Sequence, residues 1–167
     1  PHREDLKLRG KIDRIDVDPS GKYGLVIDYK TGGTFKGKDL EFGTALQLPL
    51  YLLAIQKLLK LKPVGGLIYQ ISGAKTGGFY AREGLEGSGA KVSSRSVYDP
   101  KELDRLLERA VRFSFQFAQG MTQAQIPVRP RDCDSRCPFP AVCRIEKWRL
   151  PFIEQEIRDE DKKNGMF

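Results

Sequence analysis

The stretch from Leu8 to Thr31, LRGKIDRIDVDPSGKYGLVIDYKT, constrains this chain most. Gly24-Leu25-Val26-Ile27 is apolar and rich in β-branched side chains, which predicts a strand buried on both faces. Asp18-Pro19-Ser20-Gly21 ahead of it is a turn signal, so the stretch reads as two strands and a tight turn. Strand side chains alternate. Val26, Asp28 and Lys30 therefore share one face, and Asp13 shares a face with Ile15 and Val17.

Two carboxylates, Asp13 and Asp28, and the Lys30 ammonium thus collect at the end of a hairpin. A lone buried carboxylate is costly and tends to neutralise. A divalent cation removes that cost. Mg²⁺ takes one or two carboxylates, keeps several waters and leaves room for phosphate oxygens. A lysine beside it can hold a phosphate or orient a water. The set suits metal-assisted phosphodiester hydrolysis. The competing reading makes Asp13, Arg14, Asp16, Asp28 and Lys30 surface ion pairs, which are common on strands. Asp28-Tyr29-Lys30 ends a strongly apolar strand, and that favours chemistry.

The segments GKIDRID and VIDYKTG, followed by LQLPLY, resemble the PD-(D/E)XK nuclease superfamily. Within it they are most similar to the RecB-like and AddB-like nuclease domains of bacterial helicase–nucleases. The resemblance implies that Asp13 binds metal, that Asp28 is a second metal-binding acid and that Lys30 is the catalytic lysine. It implies a third metal contact from the backbone carbonyl of Tyr29, and a place beside the metal for Gln47 and Tyr51. It also implies Mg²⁺ or Mn²⁺ as cofactor, DNA as substrate, and a helicase domain or subunit as partner. Trimming of DNA ends during double-strand-break processing, in the cytoplasm, is the implied task. The three motifs occur in the family's order across about Leu8 to Ala54.

The remaining chain fits that frame. Its 167 residues make about one domain, expected to span 1–167, and are enough for a core. A net charge of +7 and a pI near 9.4 suit a polyanionic partner. No apolar run reaches the ~18 residues of a membrane span, and no signal peptide is visible at the charged start. The chain begins with Pro and enters a strand almost at once, so a fragment of a longer protein is expected. His2 is the only histidine and lies at the terminus, where no role is expected.

Between Lys30 and Ala45 four glycines predict a loop. Lys36 and Lys38 there either approach a DNA backbone or are simply solvated. Ala45 to Leu61 predicts a helix, with Leu46, Leu50, Leu53, Ile55, Leu58 and Leu59 as its apolar face. Gln47 and Tyr51, four apart, stack on one side of it. Val64 to Ser72 predicts a strand parallel to the first buried one, because a helix intervenes. Ala74 to Ser96 reads as irregular, with short strands at 78–82 and 91–97. Asp99-Pro100-Lys101-Glu102 opens a long helix with a capping box and Pro at N1, and Gly120 is the expected C′ residue. Arg105, Arg109 and Arg112 on it read as a solvated face that alternatively meets DNA.

Cys133, Cys137 and Cys143 are the chain's three cysteines, in a segment rich in proline. Zinc wants a fourth ligand that is not nearby. A disulfide leaves one thiol over. Free structural thiols are the plain reading. The AddB-like resemblance implies instead three of four ligands to a [4Fe–4S] cluster, with the fourth cysteine upstream of this fragment. The cluster would staple the tail rather than carry electrons. Arg144 to Lys163 predicts a final helix interrupted at Pro151, with a frayed charged tail from Arg158. The expected fold is α/β, a central mixed sheet flanked by helices with a restriction-endonuclease-like core. Two rivals share the same residues: an iron–sulfur nuclease of the kind used in CRISPR adaptation, and a non-catalytic DNA-binding scaffold.

Overall fold

The computed structural model describes residues 6–33, 35–41, 43–86, 92–125, 137–143 and 145–163. The chain divides into two compact units, Pro1–Ala118 and Gln119–Phe167.

The first unit is built on a five-stranded mixed sheet whose spatial order is the chain order. β1 (Arg14–Val17) and β2 (Tyr23–Lys30) are antiparallel. The turn between them forms because Asp18 bonds its own loop: its carboxylate accepts from the Ser20 hydroxyl and from the Ser20, Lys22 and Tyr23 amides. β3 (Lys62–Gln70) runs parallel to β2, β4 (Lys75–Ala81) antiparallel to β3, and the two-residue β5 (Val97–Tyr98) parallel to β4. The expected mixed sheet flanked by helices is therefore what forms.

The β2–β3 connection carries α1 (Gly37–Glu41) and α2 (Gln47–Leu58), so the stretch expected to be only a loop contains a helix. Leu48, Pro49, Leu52 and Ile55 are the buried residues of α2. The expected face through Leu46, Leu50 and Leu53 is half-buried, and Leu58 and Leu59 are exposed. The helix stops there and the chain turns away at Lys60, whose φ is +58°. β2 is likewise less enclosed than expected: Val26 is fully buried, but Leu25 and Ile27 on the opposite face are half-covered. β3 starts two residues before the expected Val64, at Lys62-Pro63, a strand start that proline tolerates. β4 begins earlier than expected and β5 later. The short α3 (Arg82–Leu85) and a 3-10 turn at Ser94–Ser96 separate them.

α4 (Pro100–Thr122) starts at a complete capping box. The Asp99 amide donates to Glu102 Oε2 and the Glu102 amide to Asp99 Oδ1, both at 2.8 Å. Its Leu103 and Leu107 join Val26, Leu40, Leu48, Leu52, Ile55 and Phe79 in one apolar core. Phe113 of α4 lies directly over Gly43, where φ is +69° and a Cβ would come within 2.5 Å of the ring. Only glycine fits that point, which joins α1 to α2.

In the second unit, α4 runs past Gly120 to Thr122. Ala124 takes the left-handed C′ position instead, φ +54°. The Gln125 amide bonds Gly120 O and the Ala124 amide bonds Met121 O, a Schellman ending in which Gly120 is the acceptor rather than the cap. A short helix α5 (Pro140–Cys143) and a 3-10 turn (Lys147–Arg149) precede α6 (Leu150–Lys163). Pro151 sits in the first turn of α6, where its missing N–H costs nothing, so it starts this helix rather than interrupting it. The charged tail expected to fray from Arg158 is helical through Lys163.

Candidate active site

β2 delivers Asp28 and Lys30 on the face that α2 covers. Asp28 is 2% exposed, among the most enclosed side chains of the chain. A buried carboxylate demands partners, and two come from different elements. Its Oδ1 accepts from Gln47 Nε2 at 2.7 Å, and its Oδ2 lies 2.8 Å from Lys30 Nζ. That second contact is an ion pair without hydrogen-bond alignment, so Oδ2 is a buried oxygen with no hydrogen bond. The surface ion-pair reading of Asp28 is thereby ruled out. It does hold for Arg14 and Asp16, which are paired at 2.6 Å in the open.

Gln47 is the first residue of α2, and its amide joins the site together. Oε1 accepts from Lys30 Nζ at 2.8 Å, while Nε2 donates to Asp28 and to the Tyr51 hydroxyl, the latter at 3.1 Å. The orientation of the amide follows from charge: its oxygen faces the ammonium and its NH₂ the carboxylate. One turn on, Tyr51 donates its hydroxyl proton to the Lys11 carbonyl at 2.6 Å. Its ring lies against Gly10, where a Cβ would come 3.3 Å from Cε1. The helix is thus tied to the strand-leading segment Gly10–Asp13.

Asp13 is exposed and sits one residue before β1. Its Oδ2 accepts from the Tyr29 amide at 3.0 Å, which holds the carboxylate beside the residue that follows Asp28. Tyr29 itself points to the opposite face of the sheet. Its hydroxyl accepts from Arg14 Nη1 at 3.2 Å and its ring meets Tyr69 edge-on at 5.7 Å. The hydrogen bonds to Asp16 and Tyr29 hold the Arg14 guanidinium further toward its charged form than usual. Two partners here escape sequence reasoning, the Lys11 carbonyl and the Tyr29 hydroxyl. A main-chain acceptor carries no sequence signal.

Asp28, Lys30, Gln47 and Tyr51 are joined by direct side-chain contacts, whereas Asp13 reaches them only through the amide of Tyr29, the residue next to Asp28. Two carboxylates and a neighbouring carbonyl are hard oxygen donors, and Asp28 Oδ2, held by the Lys30 ion pair but by no hydrogen bond, is an anionic oxygen of the kind that fits Mg²⁺ or Mn²⁺. Among the described residues no group of three or more His, Cys, Asp or Glu converges. Cys137 is exposed and Cys143 half-buried, both with free thiols. Cys133 and His2 lie outside the described residues. Lys36 is exposed, and the Lys38 side chain is outside the described set. Arg109 and Arg112 are half-buried, so the expected fully solvated arginine face is found only at Arg105.

The family model for the PD-(D/E)XK nuclease superfamily matches residues 2–144. The chain belongs to that superfamily. Among curated relatives it is similar to an ATP-dependent helicase/deoxyribonuclease subunit of Lachnoclostridium phytofermentans, 42% identical over 76 residues, which is 40% of this chain and 7% of that protein. The corresponding subunit of Oenococcus oeni is 50% identical over 54 residues, 31% of this chain and 5% of its own length. That of Lactococcus lactis subsp. lactis matches 86% of this chain at 25% identity, and 17% of its own length. The chain thus spans less than a fifth of these relatives. Among the described residues no helix is long and apolar enough to cross a membrane.

Proposed function

We propose that this chain is the nuclease domain of an AddB/RecB-like helicase–nuclease, a Mg²⁺- or Mn²⁺-dependent DNA exonuclease acting in recombination and double-strand-break repair. The observation that carries the reading is the Gln47 amide, which holds the buried Asp28 carboxylate and the Lys30 ammonium at one point. The relatives' named activities, helicase and deoxyribonuclease, support it.

Asp13, Asp28 and the Tyr29 carbonyl would hold the metal, which supplies Lewis-acid charge stabilisation and a more acidic water. The protein's own part is positioning. Lys30 Nζ is kept from swinging into solvent by Asp28 and Gln47, and it orients the attacking water or a phosphate oxygen. Asp13 is fixed by a backbone amide rather than by a mobile side chain. Tyr51 anchors Gln47 by binding the segment that leads to Asp13. Cys137 and Cys143, unbonded to each other, with Cys133, would supply three thiolates to a [4Fe–4S] cluster in the intact protein, the fourth coming from outside this chain. Iron and sulfide content and the visible spectrum of the anaerobically isolated protein test that part.

The central test is cleavage of single- and double-stranded DNA ends by the full-length protein beside Asp28→Ala. Metal-dependent degradation that vanishes in the variant supports the assignment. Equal activity in both moves the chemistry elsewhere. DNA binding without cleavage under any divalent metal sinks it in favour of a scaffold.

A further inference from the structure

At the far edge of the sheet, on the side that α4 covers, a cavity of about 190 Å³ opens between α1, β5 and α4. Its walls are Leu40, Tyr98, Glu102, Arg105, Leu106 and Arg109. Arg105 and Arg109 are four apart on α4, so both guanidinium groups reach the same space. Arg109 is half-buried, and its Nε is shielded from solvent with no hydrogen bond in the protein. The one carboxylate in the wall, Glu102, already accepts the Asp99 amide at the helix start. Two arginines in the wall of a space larger than a phosphate group describe an anion site.

We propose that this cavity holds a backbone phosphate of the DNA strand, clamped by Arg105 and Arg109, away from the point of cleavage. The identity of the ligand as DNA rests on the nuclease reading. Planar guanidinium pairs favour phosphate oxygens, and a chain of net charge +7 attracts the polyanion. Strand register places Tyr98 on the same face as Asp28. It lies three strand spacings across and four residues along, about 20 Å away. That is about six base-pair steps at 3.4 Å each. The clamp therefore engages only substrates that extend well past the catalytic point.

The test measures DNA affinity of the full-length protein against salt, in EDTA so that nothing is cut. Wild type is compared with Arg109→Gln, Arg105→Gln, Arg109→Lys and, as an exposed control, Arg95→Gln. On a 20-nucleotide strand, Arg105→Gln and Arg109→Gln should each weaken binding about tenfold. Each should also reduce the slope of log K against log salt by about 0.7, the loss of one single-strand phosphate contact. Arg109→Lys should retain the slope and Arg95→Gln should change nothing. On a four-nucleotide strand all variants should bind alike. Thermal melts establish that each variant is folded. An unchanged slope in folded Arg109→Gln overturns the clamp, and does so without touching the nuclease reading if the wild type still cleaves with Mg²⁺. The predicted slope loss in a protein that cleaves nothing upholds the clamp and removes the nuclease. Stabilisation by inorganic phosphate that depends on Arg109, with an unchanged DNA slope, overturns the DNA assignment in favour of a free anion.

Discussion

Gln47 Nε2 donates to the Asp28 carboxylate at 2.7 Å while the same amide accepts from Lys30, so a helix residue sets the geometry of a strand pair. Gln47→Ala should leave Lys30 held by Asp28 alone and Oδ1 of Asp28 unpartnered. Groups that orient metal ligands are typically worth about 10–100-fold in metal affinity or activity. Cleavage rate and Mn²⁺ affinity should both fall by that order. Gln47→Glu should do no better, since it sets a second carboxylate against Asp28. A variant with normal metal affinity and rate would show the contact to be incidental.

Tyr51→Phe removes one hydroxyl and nothing else. The Lys11 carbonyl loses its donor and Gln47 loses an acceptor. Stability should drop by about 1 kcal/mol, the usual worth of such a bond. Urea unfolding measures this. No loss would mean that water replaces the phenol at that carbonyl.

Gly43→Ala should destabilise by about 2 kcal/mol or more, because a methyl group collides with the Phe113 ring at a left-handed backbone position. Phe113→Leu in the same background should recover part of the loss by clearing the collision but not the backbone strain. If the two substitutions prove additive, Gly43 and Phe113 do not touch in solution.

The Asp18 carboxyl is held down to about 2 by the Ser20 hydroxyl and by the Tyr23, Ser20 and Lys22 amides, against an ordinary value of 3.8. A depressed carboxylate contributes stability above its unfolded value and loses it as pH falls through the folded one. The Asp18 contribution should therefore be whole at pH 5 and decline between about pH 4 and 2. Asp18→Asn should flatten that part of the acid-unfolding curve relative to wild type. Superimposable curves would show the turn bonds to be absent in solution.

Local chemistry is legible along the chain. Asp-Pro-Ser-Gly announces the β1–β2 turn because an aspartate there closes bonds with its own neighbours. Asp99 to Glu102 announces the start of α4 for the same reason. Asp28 and Lys30 share a strand face because side chains alternate. The register of α2 is not legible, because leucines lie all around that helix. Leu48, Leu52 and Ile55 face inward only because the sheet lies on their side. Gly120 has the residue type of a helix end, yet the chain takes one more turn and ends at Ala124.

By itself, the sequence determined the residue types, their order and the β–α–β frame, since these depend on short-range periodicity and turn chemistry. Only the tertiary structure decided which groups meet: Gln47 with Asp28 and Lys30, Asp13 with the Tyr29 amide, Tyr51 with the Lys11 carbonyl. Those partners are 16 to 40 residues apart. Their contacts arise when α2 closes over β2 to bury an apolar face, and no local rule encodes where that closure brings a polar atom to rest.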